Sequence, residues 1–465
     1  MTKKRLLVVG AGPGGYAAAF YAADRGMDVT LVNEDKNMGG VCLQRGCIPS
    51  KTLLHVARLI NETREARQWG LDFGDPKIDV DRLRQWKDQV IGKMSQGLTQ
   101  LCKQRGVNYV SGRAVFENAN RVTVEGHGGL EFDHAIVATG SRPIVPGDFA
   151  IDSPRLLDST SALEIEDIPP RLLVVGGGYI GLEMGTVYAA LGSKVTVVEM
   201  TDGLLPGVDR DLVRVLQAKL RKDFEAIHLN TRLEALQQTE AGLKVSLKSE
   251  SESKEEVFDK ILISIGRQPN TENLGLERTR VELDKRGFIK VDRQGCTAET
   301  SLYAIGDVIG GAMLAHKASY EGKRAVEAML DESQAVKEPV IPAVVFTDPE
   351  IAWCGLTEEQ AKAAGREVEV CKFPWGASGR ATTLGRNDGQ TKLIVEPETG
   401  KILGVGLVGT HAGELISEGV LAIQLGASAE DMAHSIHPHP TLSETLMEAA
   451  EIYLGAPTHI FKKKR

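Results

Sequence analysis

The chain opens with consecutive apolar residues where a half-exposed strand would alternate: Leu6-Leu7-Val8-Val9 runs straight into a glycine cluster, and an alanine-rich stretch follows from Tyr16 to Ala23. An unbroken apolar run suits a strand buried on both faces, and small residues suit a helix packed closely against it. A second run, Asp28 to Val32, follows at the distance of a βαβ unit. The same order recurs at Leu172-Leu173-Val174-Val175, with a glycine cluster, a helix expected through Leu191, and a strand from Lys194 to Val198 ending in Glu199. The pattern predicts an α/β protein with two Rossmann-like dinucleotide-binding domains.

The glycine clusters carry the chemistry of that expectation. Gly10, Gly12 and Gly15 in the first copy, and Gly176, Gly178 and Gly181 in the second, stand at G-x-G-x-x-G spacing between strand and helix. Such glycines let the backbone turn sharply and approach a pyrophosphate, while the helix N-terminus offers unpaired N–H groups and the positive end of its dipole. Two cradles imply two dinucleotides. They differ at the end of the second strand, 23 residues beyond the first glycine, where one copy has Asn33, with Glu34 beside it, and the other has Glu199. A carboxylate there accepts from a ribose 2'-OH and repels a 2'-phosphate, so the second copy is expected to take NAD. Either Asn33 or Glu34 would hold the ribose in the first.

Composition narrows the class. A chain of 465 residues exceeds one hydrophobic core, so two to four domains are expected. A formal charge of -8 gives no support for nucleic-acid binding, and the short basic tail Lys462-Lys463-Lys464-Arg465 reads as a solvated end. No stretch approaches the ~18 to 20 apolar residues of a membrane span, so no membrane association and a cytoplasmic location are expected. Six cysteines do not make a secreted disulfide scaffold, and in a reducing compartment a persistent disulfide would be catalytic.

Two of those cysteines lie in Gly39-Gly40-Val41-Cys42-Leu43-Gln44-Arg45-Gly46-Cys47-Ile48-Pro49-Ser50-Lys51. Helical residues five apart rise by about 7.5 Å, beyond the ~4.4 to 6.8 Å Cα separation that a disulfide tolerates. A bridged pair therefore requires the backbone to leave regular helix, which the glycines and proline permit; two unconnected thiols are the alternative. No second ligand pair at zinc-like spacing accompanies them, so no metal site is expected.

The segment resembles the GG-T-C-L-N-x-G-C-I-P-S-K redox segment of dihydrolipoamide dehydrogenases, within the glutathione reductase-like flavoproteins, and the likeness extends from Leu6 to Glu448. The resemblance implies that Cys42 is the thiol that exchanges with substrate and Cys47 the thiolate beside the flavin, with Lys51 near the flavin and paired with Glu183. It implies FAD contacts at Thr139, Gly140, Asp307 and Ala315, and a nucleotide-domain exit at Gly266-Arg267-Gln268-Pro269-Asn270. An N-cap role is the plain alternative for Asp307. His437-Pro438-His439-Pro440-Thr441-Leu442-Ser443-Glu444 is similar to the family's H-x-H-P-T-x-x-E motif, which implies that His439 is the base, Glu444 orients it, and His437 is structural. A base is needed because only a thiolate attacks a disulfide.

The resemblance further implies a homodimer in which His439 and Glu444 complete the partner's site, and an α+β dimerisation domain at the C-terminus. Four domains are expected: FAD-binding over 1–150, NAD-binding over 151–272, a central domain over 273–340 and the interface domain over 341–465. With no lipoyl domain expected before Gly10, the partners would be lipoyl domains of 2-oxoacid dehydrogenase complexes or the glycine cleavage carrier protein. Another flavin disulfide reductase is the alternative, but nothing after Cys371 is cysteine, against mercuric reductases and larger thioredoxin reductases. Glu199 and the Ile-Pro-Ser-Lys ending stand against glutathione reductase. Arg45, and Phe346-Thr347-Asp348 in place of Tyr-Thr-His, depart from the family pattern; the latter puts the packing of the dimer in question.

Overall fold

A computed structural model of the chain describes residues 3–331 and 338–461; the basic tail lies outside the described residues. The two copies begin with the same pentapeptide, Arg-Leu-Leu-Val-Val, in strands Arg5–Val9 and Arg171–Val175. Each pairs in parallel with its next strand at one offset, Arg5 opposite Asp28 and Arg171 opposite Lys194. Around Arg5–Val9 the first sheet orders Leu302–Ala304, His134–Val137, Arg5–Val9, Asp28–Asn33 and Asn108–Ser111, all parallel. The second orders Ala226–His228, Lys194–Val198, Arg171–Val175, Lys260–Ile263 and Leu156–Leu157, again parallel. Each sheet thus buries its apolar runs on both faces, as their lack of alternation requires.

The chain crosses between the copies on a two-stranded antiparallel ribbon, Ser141–Pro143 with Arg267–Pro269. Strand Leu302–Ala304 then returns to the first sheet, and helix Ala315–Met329 packs against helix Pro13–Asp24. Their approach is close enough that a Cβ on Gly322 would lie 2.7 Å from the carbonyl oxygen of Gly14. The C-terminal part forms a five-stranded antiparallel sheet, ordered Ala343–Val345, Glu350–Gly355, Ile402–Gly409, Gln390–Val395 and Glu369–Pro374, covered by helices Ala412–Leu425 and Glu444–Leu454.

One core cluster joins three of these regions: Leu53, Leu54 and Ala57 of helix Cys47–Glu65 pack with Leu182, Val187 and Tyr188 of helix Tyr179–Leu191 and with Val345, Ile351 and Val408 of the C-terminal sheet. A polar cluster ties the second and third regions. Lys392 is wholly buried, with Nζ 2.5 Å from Asp209, 2.8 Å from Asp211 and 3.3 Å from Glu358, while Asp209 also accepts from the N–H groups of Glu358 and Glu359. The three carboxylates converge as metal ligands would, but two ammonium groups compensate them, Lys392 at their centre and the partly exposed Lys372, 2.7 Å from Asp211 and 3.3 Å from Glu358.

Removing one partner of a buried ion cluster costs about 3–5 kcal/mol, because uncompensated charge stays behind. Lys392→Met is therefore expected to lower the thermal unfolding midpoint by several degrees, and Asp209→Leu added to it should recover part of the loss. A single variant that melts with the wild type would show that the cluster does not hold the two regions together.

Candidate active site

A cavity of about 650 Å³ runs from the first glycine loop to the cysteine pair. The glycines of the two loops occupy equivalent situations. Gly10 has φ +105° and Gly176 φ +107°, and a Cβ would stand 2.3 Å from the Ala138 oxygen in one and 2.5 Å from the Ser264 oxygen in the other. Gly15 and Gly181 lie so near the carbonyls of Gly10 and Gly176 that a Cβ would fall at 1.8 and 2.4 Å. Gly12 and Gly178 instead face open space, with nothing closer than 4.0 Å, which leaves each loop accessible to a phosphate.

The redox segment is pinned directly onto the first loop. Gly39 N donates to the Ala11 oxygen at 2.9 Å, and a Cβ on Gly40 would lie 2.6 Å from the Gly12 Cα. Helix Gly40–Arg45 ends at Gly46 and a new helix, Cys47–Glu65, begins at once. This is the departure from regular helix that the spacing of the cysteines demands. Gly46 makes it feasible, since a Cβ there would stand 2.8 Å from the Val41 oxygen.

Cys42 and Cys47 are both free thiols, and both line the cavity. The pair is electrostatically unequal. The hydrogen bond from Cys42, with Lys51 and the N–H at the head of its own helix, outweighs burial and brings the Cys47 thiol down to about 7. The same hydrogen bond, together with burial and the neighbouring sulfur's charge, pushes the Cys42 thiol up. Lys51 Nζ lies 2.7 Å from Glu183 Oε2, whose side chain is only 4% exposed. The other Glu183 oxygen accepts from Phe346 N at 3.0 Å, and Lys51 Nζ sits 4.6 Å from the centre of the Phe346 ring. Phe346 was expected to bear on dimer packing; within the chain it completes the surroundings of the lysine. Asp348 pairs with Arg386 at 2.5 Å.

Glu444 and His439 meet elsewhere. His439 Nδ1 lies 2.9 Å from Glu444 Oε1, the imidazole is 73% exposed, and neither residue lines the cysteine cavity. Burial opposes ionisation of Glu444, but the Thr441 N–H and His439 prevail and hold its carboxyl below the ordinary range. A buried relay anchors this turn: Trp375 Nε1 donates to Thr391 Oγ1 at 2.9 Å, that hydroxyl to Thr445 Oγ1 at 2.7 Å, and Thr445 Oγ1 to the Leu442 oxygen at 2.7 Å. His437 is held by the Ser435 oxygen and by Glu418.

The remaining expected positions sort by location. Thr139, Gly140, Asp307 and Ala315 line the cavity, as do Lys51 and Glu183. Asp307 makes no helix cap; its carboxylate accepts from Ser141 Oγ at 2.6 Å, and Arg267 donates to the same hydroxyl at 2.7 Å. Gly266 lies at the crossing ribbon, accepting from Ile144 N at 3.1 Å. Asn33 turns inward: Oδ1 accepts from Ala11 N and Nδ2 donates to the Asp35 oxygen, both at 2.9 Å. Glu34, with its side chain 74% exposed, is the acid that faces out. Glu199 likewise braces its loop, accepting from Gly177 N at 2.7 Å and from Thr201 N and Oγ1 at 2.8 Å. Arg210 is occupied by the carbonyls of Leu204, Leu205 and Val208. Sequence reasoning missed Tyr179 and Arg113 among the lining residues; only the position of Tyr179, directly after Gly178 in the second glycine loop, carried a signal.

A family model described as pyridine nucleotide-disulphide oxidoreductase matches residues 4–322, and the dimerisation domain of the same family matches residues 341–450. The chain belongs to this family. It is therefore an enzyme that employs FAD and a pyridine nucleotide, and its C-terminal sheet is a dimerisation domain that supports a homodimer. Among its relatives are the dihydrolipoyl dehydrogenase of Vibrio cholerae, 46% identical over 98% of this chain and 97% of that one, and that of Geobacillus stearothermophilus, 44% identical over the same shares. Two solved structures share the fold: LpdA from Mycobacterium tuberculosis, with TM-score 0.89 and 28% identity over 97% of this chain and 99% of that one, and the HOCl-induced flavoprotein disulfide reductase RclA from Escherichia coli, with TM-score 0.86 and 29% identity over 96% and 99%.

The inequality of the two thiols has a measurable consequence. In Cys42→Ser holoprotein the serine hydroxyl can still donate to Cys47, so the thiolate-to-flavin absorption band should appear as pH rises through a midpoint below the ordinary cysteine range and fade beneath it. Lys51→Met, added to that variant, removes a cation that favours the thiolate and should move the midpoint upward. A band that stays constant from well below to well above neutrality would contradict the assignment of Cys47 as the thiolate.

Proposed function

We propose that Cys42, Cys47, Lys51 and Glu183, joined by His439 and Glu444 of a second copy, carry out the dihydrolipoyl dehydrogenase reaction of this chain, with FAD in the long cavity and NAD+ at the second glycine loop. The observation that carries the reading is the unequal thiol pair at the head of helix Cys47–Glu65, set between a phosphate cradle and the Lys51–Glu183 pair. The residues suit the flavin: Gly10, Gly12 and Gly15 open the loop, Glu34 faces out for the ribose, and Thr139, Gly140, Asp307 and Ala315 line the remainder.

In the oxidised protein Cys42 and Cys47 share a disulfide. His439 takes a proton from one thiol of the dihydrolipoyl group, and Glu444 both fixes the imidazole and stabilises its charge. The resulting thiolate attacks Cys42, forming a substrate–Cys42 disulfide as the Cys42–Cys47 bond breaks and Cys47 leaves as a thiolate. Its low pKa makes it the better leaving group. The second substrate sulfur, deprotonated in turn, attacks the first, closing the lipoyl disulfide and releasing Cys42, which takes up a proton in keeping with its raised pKa. Lys51, ion-paired with Glu183, keeps its positive charge near Cys47 and leaves no unpaired charge on the buried carboxylate. FAD and NAD+, when bound, supply the route by which the two electrons leave as hydride.

The reading includes the division of labour expected from the sequence: flavin-binding over 1–150, NAD-binding over 151–272, a central domain over 273–340 and the dimer interface over 341–465. Lipoyl domains of 2-oxoacid dehydrogenase complexes, or the glycine cleavage carrier protein, would deliver substrate in the cytoplasm. No helix among the described residues is long and apolar enough to cross a membrane.

Because His439 is exposed and does not line its own chain's cysteine cavity, Cys42→Ser and His439→Ala should each abolish lipoamide turnover. Mixed dimers formed by dissociating and reassociating the two inactive proteins should regain activity, since one of their two sites has both residues intact. Mixed dimers that stay inactive would place the base in the same chain as its cysteines.

For the nicotinamide cofactor, Glu199 is taken as the acid that meets the ribose at the second loop, and the nearby Arg210 is already occupied. A phosphate brings about -1.5 to -2 charge against that carboxylate. Preference for NAD over NADP in kcat/KM is expected at tenfold or more, on the order of the ~1–3 kcal/mol that an unpaired buried group costs. Comparable use of NADPH and NADH would remove Glu199 from the ribose site.

A further inference from the structure

Arg45 takes no part in the thiol exchange, yet it stands on the short helix Gly40–Arg45 that carries Cys42. Its Nη1 donates to Asp35 Oδ2 at 2.9 Å, with side chains 36% and 39% exposed, and both residues line the cavity together with Gly12, Glu34 and Arg113. Asp35 follows strand Asp28–Asn33, whose last residue reaches the glycine loop at Ala11, so the pair stands at the glycine-loop end of the cavity. Asp35 is itself held: its carbonyl accepts from Asn33 Nδ2 and from the Tyr109 hydroxyl, both at 2.9 Å. The guanidinium is therefore steadied from the end of strand Asp28–Asn33 while its helix is pinned at Gly39 to the glycine loop.

A pair this exposed contributes ~0–1 kcal/mol to folding, which leaves its place inside the cavity unexplained. Asn33 adds no grip at the nucleotide end, because it spends its amide on Ala11 and Asp35. An arginine offers what is missing: further N–H donors in a planar fork that matches phosphate, and a flat face that stacks on a purine.

We propose that Arg45, steadied by Asp35, binds the adenosine diphosphate half of FAD, so that the helix bearing Cys42 also clamps the cofactor's nucleotide end. The inference rests on the reading that this cavity holds FAD. Holoproteins of wild type, Arg45→Leu, Arg45→Lys and Asp35→Asn would be stripped of flavin and titrated with FAD by flavin fluorescence, and ADP would be tested as a competitor. Arg45→Leu is expected to weaken FAD and ADP alike, each by about tenfold, the scale of one lost charge-assisted contact. Arg45→Lys, which keeps charge but loses the planar fork, should fall between the two, and Asp35→Asn should lose a smaller factor; the latter decides the matter if Arg45→Leu does not fold. Unchanged FAD affinity in Arg45→Leu and Asp35→Asn overturns the proposal, as does weakened FAD with unweakened ADP. A wild type that binds no flavin would instead overturn the assignment of the cavity.

Discussion

The contact on which the rest of the molecule turns is the ion pair between Lys51 and Glu183. A carboxylate as buried as Glu183 is costly unless its charge and both oxygens are satisfied, and it meets that requirement from two directions. One oxygen takes Lys51 from the redox helix, and the other takes the N–H of Phe346 from the dimerisation domain. Glu183 itself belongs to the helix that follows the second glycine loop. Three regions distant in sequence are thus bound to a single side chain a short way from the sulfurs. The apolar cluster around Leu54, Leu182 and Val345 lies across the same junction, so close packing and charge pairing specify one arrangement.

The duplicated loops show how one backbone device serves two sites. Their opening strands are identical in sequence and their glycines meet the same steric limits, so the backbone has little latitude. What varies is the residue that closes the loop from below. Asn33 and Glu199 both accept from the N–H after the first glycine, but the amide uses its remaining polar atom on Asp35, whereas the carboxylate keeps only acceptor atoms and a negative charge. One loop is left electrically neutral at this point and the other is not, with no change in the path of the chain.

The parts legible in the sequence depended on neighbours in sequence. Apolar runs, glycine spacing and the Cys42–Cys47 segment announce both nucleotide folds and the redox site, because a strand, a tight turn and a helix entry each draw on a few consecutive residues. The break at Gly46 could be anticipated for the same reason. What stayed hidden depends on pairing across the fold. Nothing in the spacing of Asp209, Asp211, Glu358 and Lys392 suggests a common cluster. The inward turn of Asn33 depends on where Ala11 and Asp35 point, and Phe346 read as an interface residue because its contact with Lys51 spans some three hundred positions.

Trp375 sits in a socket made by two glycines, for a Cβ on Gly389 or Gly409 would come within 2.2 or 2.3 Å of its indole. It is wholly shielded from solvent, whereas Trp69 and Trp86 are more than half or half exposed. Its N–H begins the hydroxyl relay that ends under the turn bearing His439 and Glu444. The indole is consequently an optical probe already built into the fold. An indole so enclosed is expected to emit to the blue of Trp69 and Trp86, and with the half-buried Trp353 replaced by phenylalanine, any loosening beneath the imidazole that admits water to the relay would redden that component without a label being attached.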